Sequence, residues 1–248
     1  MKEGLHIVLS SEKLGEFLSI PITNTLLMSW LVMAVLIGIA LVVRYRLKII
    51  PGKLQVLFES LFDFVLDYMA ETLENRKLAQ RFFPLIMTLF LFILLANLFG
   101  LLPGVGSIFY NHNGQSTELL HPVHTDLNMT LALTLIVFFV IEITGIVMLG
   151  ALKYGAKFVT LTSFLGFATG LIELFSELAR LISFSFRLFG NMFAGKVLIL
   201  VAVAFVPFIL PVPLMMFEIF VALIQAAIFS LLTLFFIKVA ITEAHEAH

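Results

Sequence analysis

Ser183-Phe184-Ser185-Phe186-Arg187-Leu188-Phe189-Gly190-Asn191-Met192-Phe193-Ala194-Gly195-Lys196 places an arginine in the most apolar part of a very apolar chain. A guanidinium does not readily lose its proton. At the centre of a bilayer it costs several kcal/mol or more, on contested scales. The charge therefore needs a compensating group, and a carboxylate on another subunit would supply one. Glu173, Glu177, Arg180, Ser183, Arg187 and Asn191 follow one another in i+3 and i+4 steps, so they share one helical face. Gly190 and Ala194 flank that stripe and let another helix come close.

The segment around this stripe, from Phe158 to Phe205, is too long for one perpendicular crossing, which uses about 20 residues. It either enters along the surface and then crosses, or it is steeply tilted. A proline-rich turn, Pro207 to Pro213, follows it. Leu214 to Ile237 then returns antiparallel, with Glu218 and Gln225 seven residues apart on one face. This hairpin sets Gln225 level with Arg187 and Glu218 near Lys196. A buried Lys–Glu pair costs less than either charge alone.

Composition agrees with a membrane protein. The 248 residues are 61% hydrophobic and 12% charged, about half the charge of a soluble domain. With a net charge of -1, nothing points to nucleic acid, and zero cysteines exclude thiol chemistry and Cys-based metal sites. The first sixteen residues mix charges with apolar residues and lack the pattern of a cleaved signal peptide.

Five crossings emerge. The first lies near 22–43 and ends in Arg44, Arg46, Lys48 and Lys53, a cytoplasmic signature. Residues 53–75 form an amphipathic helix, with Leu57, Leu61 and Val65 interleaved with Glu59, Asp63 and Asp67, lying on the membrane surface or against a partner. Further spans cover 82–102 and 127–150, the latter N-capped by Asp126. Between them a loop with His112, His121 and His124 but no Lys or Arg reads as external and solvated. The long tilted region is 158–205 and the final helix 213–238. The expected fold is thus a single all-α integral membrane domain with five transmembrane helices and one amphipathic interfacial helix. Its last two long helices form an antiparallel hairpin. The N-terminal residues 1–21 lie outside and the tail 239–248 inside.

Arg187-Leu188-Phe189-Gly190-Asn191-Met192-Phe193-Ala194-Gly195 resembles the signature of subunit a of the F-type ATP synthase. Three more stretches agree in order: Pro84 to Pro103 with Asn97-Leu98-Phe99-Gly100-Leu101-Leu102-Pro103, Thr125 to Thr130, and Glu218 to Leu232 with Gln225. The resemblance covers the chain from about Phe17 to its end. It implies a non-catalytic stator subunit that conducts protons through two offset half-channels to and from the carboxylates of a c-ring. The implied partners are the c-ring, b-type subunits of the peripheral stalk and membrane lipid, in a bacterial inner membrane. No cofactor, metal, nucleic acid or bound nucleotide is implied. Arg187 corresponds to the stator arginine, Asn191 to a half-channel amide, Gln225 to the glutamine supporting the arginine, and Glu218 to a titratable external position. Glu173 and Ser183 correspond to the path toward the cytoplasm. Lys196 departs from the family, which commonly carries Glu or His there. A lysine counts against direct proton relay and leaves a structural pair with Glu218.

The residues alone leave other readings open. Gln225 either supports Arg187 or holds two helices together. Glu142 either stands near the external path or pairs with a neighbouring helix, and Glu177 and Arg180 are spaced to pair with each other. A bland ion pair of Arg187 with Glu173 or Glu177 would have to bridge roughly 15–20 Å of helix. The tail His245-Glu246-Ala247-His248 is one residue short of a zinc-protease motif, and Asn128-Met129-Thr130 is a sequon short enough to arise by chance. A self-contained ion channel or secondary transporter, or a structural anchor, are the competing functions.

Overall fold

The computed structural model describes residues 11–17, 20–48, 50–106, 108–112, 115–158, 164–207 and 209–242. The N-terminal residues 1–10 and the tail 243–248, with its His-Glu-Ala-His end, lie outside the described residues, as does the side chain of His112.

The protein is an all-α integral membrane protein. Its helices are α1 (Asn24–Arg46), α2 (Lys53–Leu73), α3 (Arg76–Gly100), α4 (Leu127–Leu149), α5 (Ala151–Phe158), α6 (Phe164–Phe205) and α7 (Pro211–Thr242). Five of them, α1, α3, α4, α6 and α7, are long and apolar enough to cross a membrane. α6 has 42 residues without interruption, about twice what a perpendicular crossing uses.

Helix boundaries follow local chemistry. α2 ends where Glu74 takes a left-handed conformation, with φ 54°. Asn75 then starts α3: its Oδ1 accepts from the backbone N–H groups of Lys77 (3.0 Å) and Leu78 (3.2 Å). Pro84 falls inside α3, so that turn lacks one backbone donor. The Thr88 hydroxyl also donates to the Pro84 carbonyl at 2.6 Å. Asp126 caps α4 as expected, accepting from the Asn128 N–H at 2.9 Å.

Two short antiparallel hairpins add to the expected helices: β1 (Lys13–Phe17) with β2 (Ile20–Thr23), and β4 (Phe109–His112) with β5 (Gln115–Glu118). A further short strand, β3 (Pro103–Gly106), lies between α3 and β4, and Val123–Thr125 form a 3-10 turn. In the sequence, Asn113-Gly114 stands between β4 and β5, the pair that favours a two-residue hairpin connection.

The chain divides into two compact units. The first comprises residues 1–37, 91–132 and 185–226. Its apolar centre is Met28, Val32, Ala96 and Val123, with Phe92 and Leu120 packed against them. Polar ties close it. Asn24 Nδ2 donates to the Glu118 carbonyl at 3.3 Å, and the Thr25 hydroxyl donates to Asp126 Oδ2 at 3.1 Å. These bonds pin the connection between α3 and α4 to the start of α1.

The second unit comprises residues 38–90, 133–184 and 227–248. Phe184 sits against Phe229 and Phe236, with ring centroids 5.0 and 5.5 Å apart. The Arg180 guanidinium lies 4.1 Å from the Phe236 centroid and donates to Glu177 Oε2 at 2.7 Å. The pairing expected from their i,i+3 spacing is therefore made. Tyr154 Oη donates to Glu142 Oε2 at 2.8 Å, so Glu142 has a partner on α5.

Candidate functional site

Within the first unit α6 and α7 run antiparallel. Later residues of α6 meet earlier residues of α7, with Arg187 and Asn191 facing Gln225 and Gly195 facing Glu218. Gln225 is buried and bonds twice: Nε2 donates to the Arg187 carbonyl at 2.9 Å, and Oε1 accepts from Asn191 Nδ2 at 3.1 Å. The glutamine thus grips the backbone of the arginine's own residue and the amide one turn on. Both roles read for it, supporting Arg187 and joining two helices, come from the same side chain.

Gly195 explains how the next contact is possible. The Glu218 carboxylate lies against its Cα so closely that a Cβ there would overlap all three carboxylate atoms. Around this contact the first unit has an open-sided cavity of about 270 Å³. Its walls are mainly apolar, but Glu118, Lys196 and Glu218 line it. At about 30 Å³ per water it has room for about nine waters, and its three charged side chains give them partners.

The expected ion pair between Lys196 and Glu218 is not made among the described residues. Lys196 Nζ instead lies 3.3 Å from both ring nitrogens of His121. His121 Nδ1 in turn lies 2.9 Å from Glu118 Oε2. With Nδ1–H donating to Glu118, Nε2 is left to accept from the ammonium. The hydrogen bond from His121 holds the Glu118 carboxyl below the usual carboxylate range; burial opposes this and the Lys196 charge assists it. Lys196 turns to His121 because the connection between α3 and α4 folds back over α6, bringing in a residue 75 positions away.

His121 and His124 correct the reading of that connection as solvated, since each is only 1% exposed. His124 Nδ1 donates to Asn97 Oδ1 at 2.6 Å, and its ring edge meets Phe92. Burial pushes His124 down to about 3, so it is neutral near pH 7. Sequence reasoning missed Glu118 and His121 as site residues. The available signal was the apolar run around them, Leu119-Leu120-His121-Pro122-Val123, which is atypical of a solvated loop.

Of the residues singled out from sequence, the first unit brings together Arg187, Asn191 and Gln225, and sets Lys196 and Glu218 in one cavity wall. Glu173 and Ser183 belong to the second unit, on α6, where Glu173 is half-buried and the Ser183 side chain exposed.

A profile of the family described as ATP synthase A chain matches residues 26–238. The chain belongs to the ATP synthase A chain family. It is 36% identical over 217 residues to "ATP synthase subunit a 2" of Syntrophotalea carbinolica, covering 88% of this chain and 85% of that one. It is 33% identical to "ATP synthase subunit a" of Geotalea daltonii, over 88% and 87% of the two chains. Against the protein of the same name in Campylobacter jejuni it is 32% identical, over 88% and 89%. Membership in the A chain family, with five long apolar helices, makes it a multi-pass membrane component of ATP synthase, its proton-translocating subunit.

Proposed function

We propose that this subunit is the stator past which the carboxylates of a c-ring move, and that it supplies them with protons through two offset paths. The observation that carries this reading is the placement of Lys196 and Glu218 on one mainly apolar cavity with room for several waters, on the same helix pair that holds Arg187, Asn191 and Gln225.

The cavity is the outer path. Protons pass by Glu218 and Asn191 to a ring carboxylate, and Lys196 lines this path without carrying them. Once neutral, that carboxylate can face lipid at low desolvation cost. The inner path runs by Ser183 and Glu173, where the ring site releases its proton after nearly a full turn. Between the paths Arg187 stabilises the ionised ring carboxylate. As a fixed cation it also blocks protons from leaking straight across. Gln225 holds the Arg187 backbone and so fixes where the guanidinium is presented. Each proton is driven by about 2.3 kcal/mol per 100 mV. Lys and Arg after the first, third and fifth spans support an N-terminus outside and a C-terminus in the cytoplasm. A b-type peripheral stalk holds the stator against rotation, and α2 lies at the membrane interface.

The test is Arg187→Ala in the assembled complex, with ATP-driven pumping and passive proton flow measured together. Lost pumping with a raised leak is expected, and normal pumping overturns the reading. Ion transport by this chain alone in liposomes, with no ring present, would support a self-contained channel instead.

A further inference from the structure

An ammonium and a carboxylate that line one apolar-walled cavity attract each other far more strongly than in water. Lys196 and Glu218 line the same cavity, yet no ion pair joins them among the described residues. Two features account for this. Lys196 Nζ is engaged by His121 at 3.3 Å, and His121 is anchored by Glu118 at 2.9 Å. Glu218, 5% exposed, rests on the bare Cα of Gly195 and makes no hydrogen bond or ion pair among the described residues. His121 itself is buried and tied to the connection between α3 and α4, so the ammonium is held by a group that cannot easily follow it.

From this arrangement we infer that Glu118 and His121 form a clamp that holds Lys196 away from Glu218, leaving Glu218 open to gain and lose protons. His121 and Glu118 are positioning residues here, acting through Lys196. Without the clamp the ammonium swings across the cavity and docks on Glu218. An opposite charge within hydrogen-bond reach holds a carboxylate ionised, typically shifting its protonated fraction ten-fold or more. The proton path through Glu218 would then be shut. The inference rests on Glu218 being a proton carrier, as proposed above.

The experiment uses the whole ATP synthase in inverted membrane vesicles, with ATP-driven acidification read by a pH-sensitive dye and assembly checked by immunoblot. His121→Phe keeps a ring and removes both nitrogens, while Glu118→Gln removes the anchor's charge at a partly exposed site. Each is expected to slow pumping roughly ten-fold. Each is then combined with Lys196→Met. Removing the ammonium should erase most of the loss, so that both double variants pump faster than either clamp variant. A purely structural role for His121 would not be rescued this way. Normal pumping by both clamp variants overturns the inference, and so does a loss that persists without Lys196. If His121→Phe does not assemble, Glu118→Gln with and without Lys196→Met decides alone. Glu218→Gln separates the two levels. Were it to pump like the wild type, the proposed role of Glu218 would fall. Were it inactive while the clamp variants pump normally, only the clamp would fall.

Discussion

Replacing Gly195 by alanine adds one methyl group at the tightest point between α6 and α7. A Cβ there falls inside the contact distance of Cδ, Oε1 and Oε2 of Glu218 together. Something must give. The carboxylate is the far end of a flexible side chain, so it can turn away, into a cavity whose walls are mainly apolar. Either Glu218 leaves its position or α6 and α7 separate. Overpacking of this kind costs about 1–3 kcal/mol. If that cost falls on the working geometry, the competent population drops about 5- to 150-fold. The Gln225 bonds to Arg187 and Asn191 join the same two helices, so helix separation would weaken them as well. The assay is the initial rate of ATP-driven acidification, normalised to the amount of assembled subunit. Gly38→Ala is the control, because a Cβ on α1 at that position meets open space. Pumping by Gly195→Ala within about two-fold of Gly38→Ala would refute the reasoning, since even 1 kcal/mol predicts about five-fold.

Gln225→Leu leaves the Arg187 carbonyl and the Asn191 amide without their partner. At about 0.5–1.5 kcal/mol per hydrogen bond, pumping should fall several-fold with assembly retained, as read by vesicle acidification beside an immunoblot. Tyr154→Phe removes the hydrogen bond to the half-buried Glu142, whose other, buried oxygen has no partner among the described residues. Denaturation in detergent should show a loss of about 1–3 kcal/mol. His124, neutral when folded and protonated below 6.5 when unfolded, makes stability fall as pH drops from 6.5 toward about 3. The unfolded chain binds the extra proton in that window, so the slope is about 1.4 kcal/mol per pH unit. His124→Gln should flatten that part of the stability profile measured in detergent.

Much of the fold was legible because membrane physics writes itself locally. A span needs only a run of apolar residues with caps and flanking charges, and Asp126 announced the start of α4 without any tertiary information. The i,i+3 pairing of Glu177 with Arg180 was equally local. The antiparallel α6–α7 pair could be read because a proline-rich turn leaves two helices little choice. It was the connection between α3 and α4 that resisted reading. Its polar composition suggested solvent, yet His121 through Asp126 are all buried. Burial there depends on Asn24 and Thr25 at the start of α1, through bonds to Glu118 and Asp126 that no local pattern encodes.

The sequence by itself determined the membrane class, the five long apolar helices and the arginine-bearing stripe, since hydropathy and helical spacing are properties of neighbours in the chain. Only the tertiary structure decided what Lys196 meets. Helical geometry put the lysine and Glu218 near one another, and attraction alone would have joined them. The return of a connection 75 residues earlier in the chain brought His121 and Glu118 to the ammonium instead. Which of two partners a buried charge takes depends on where the chain closes in space, and that is set by packing over the whole unit.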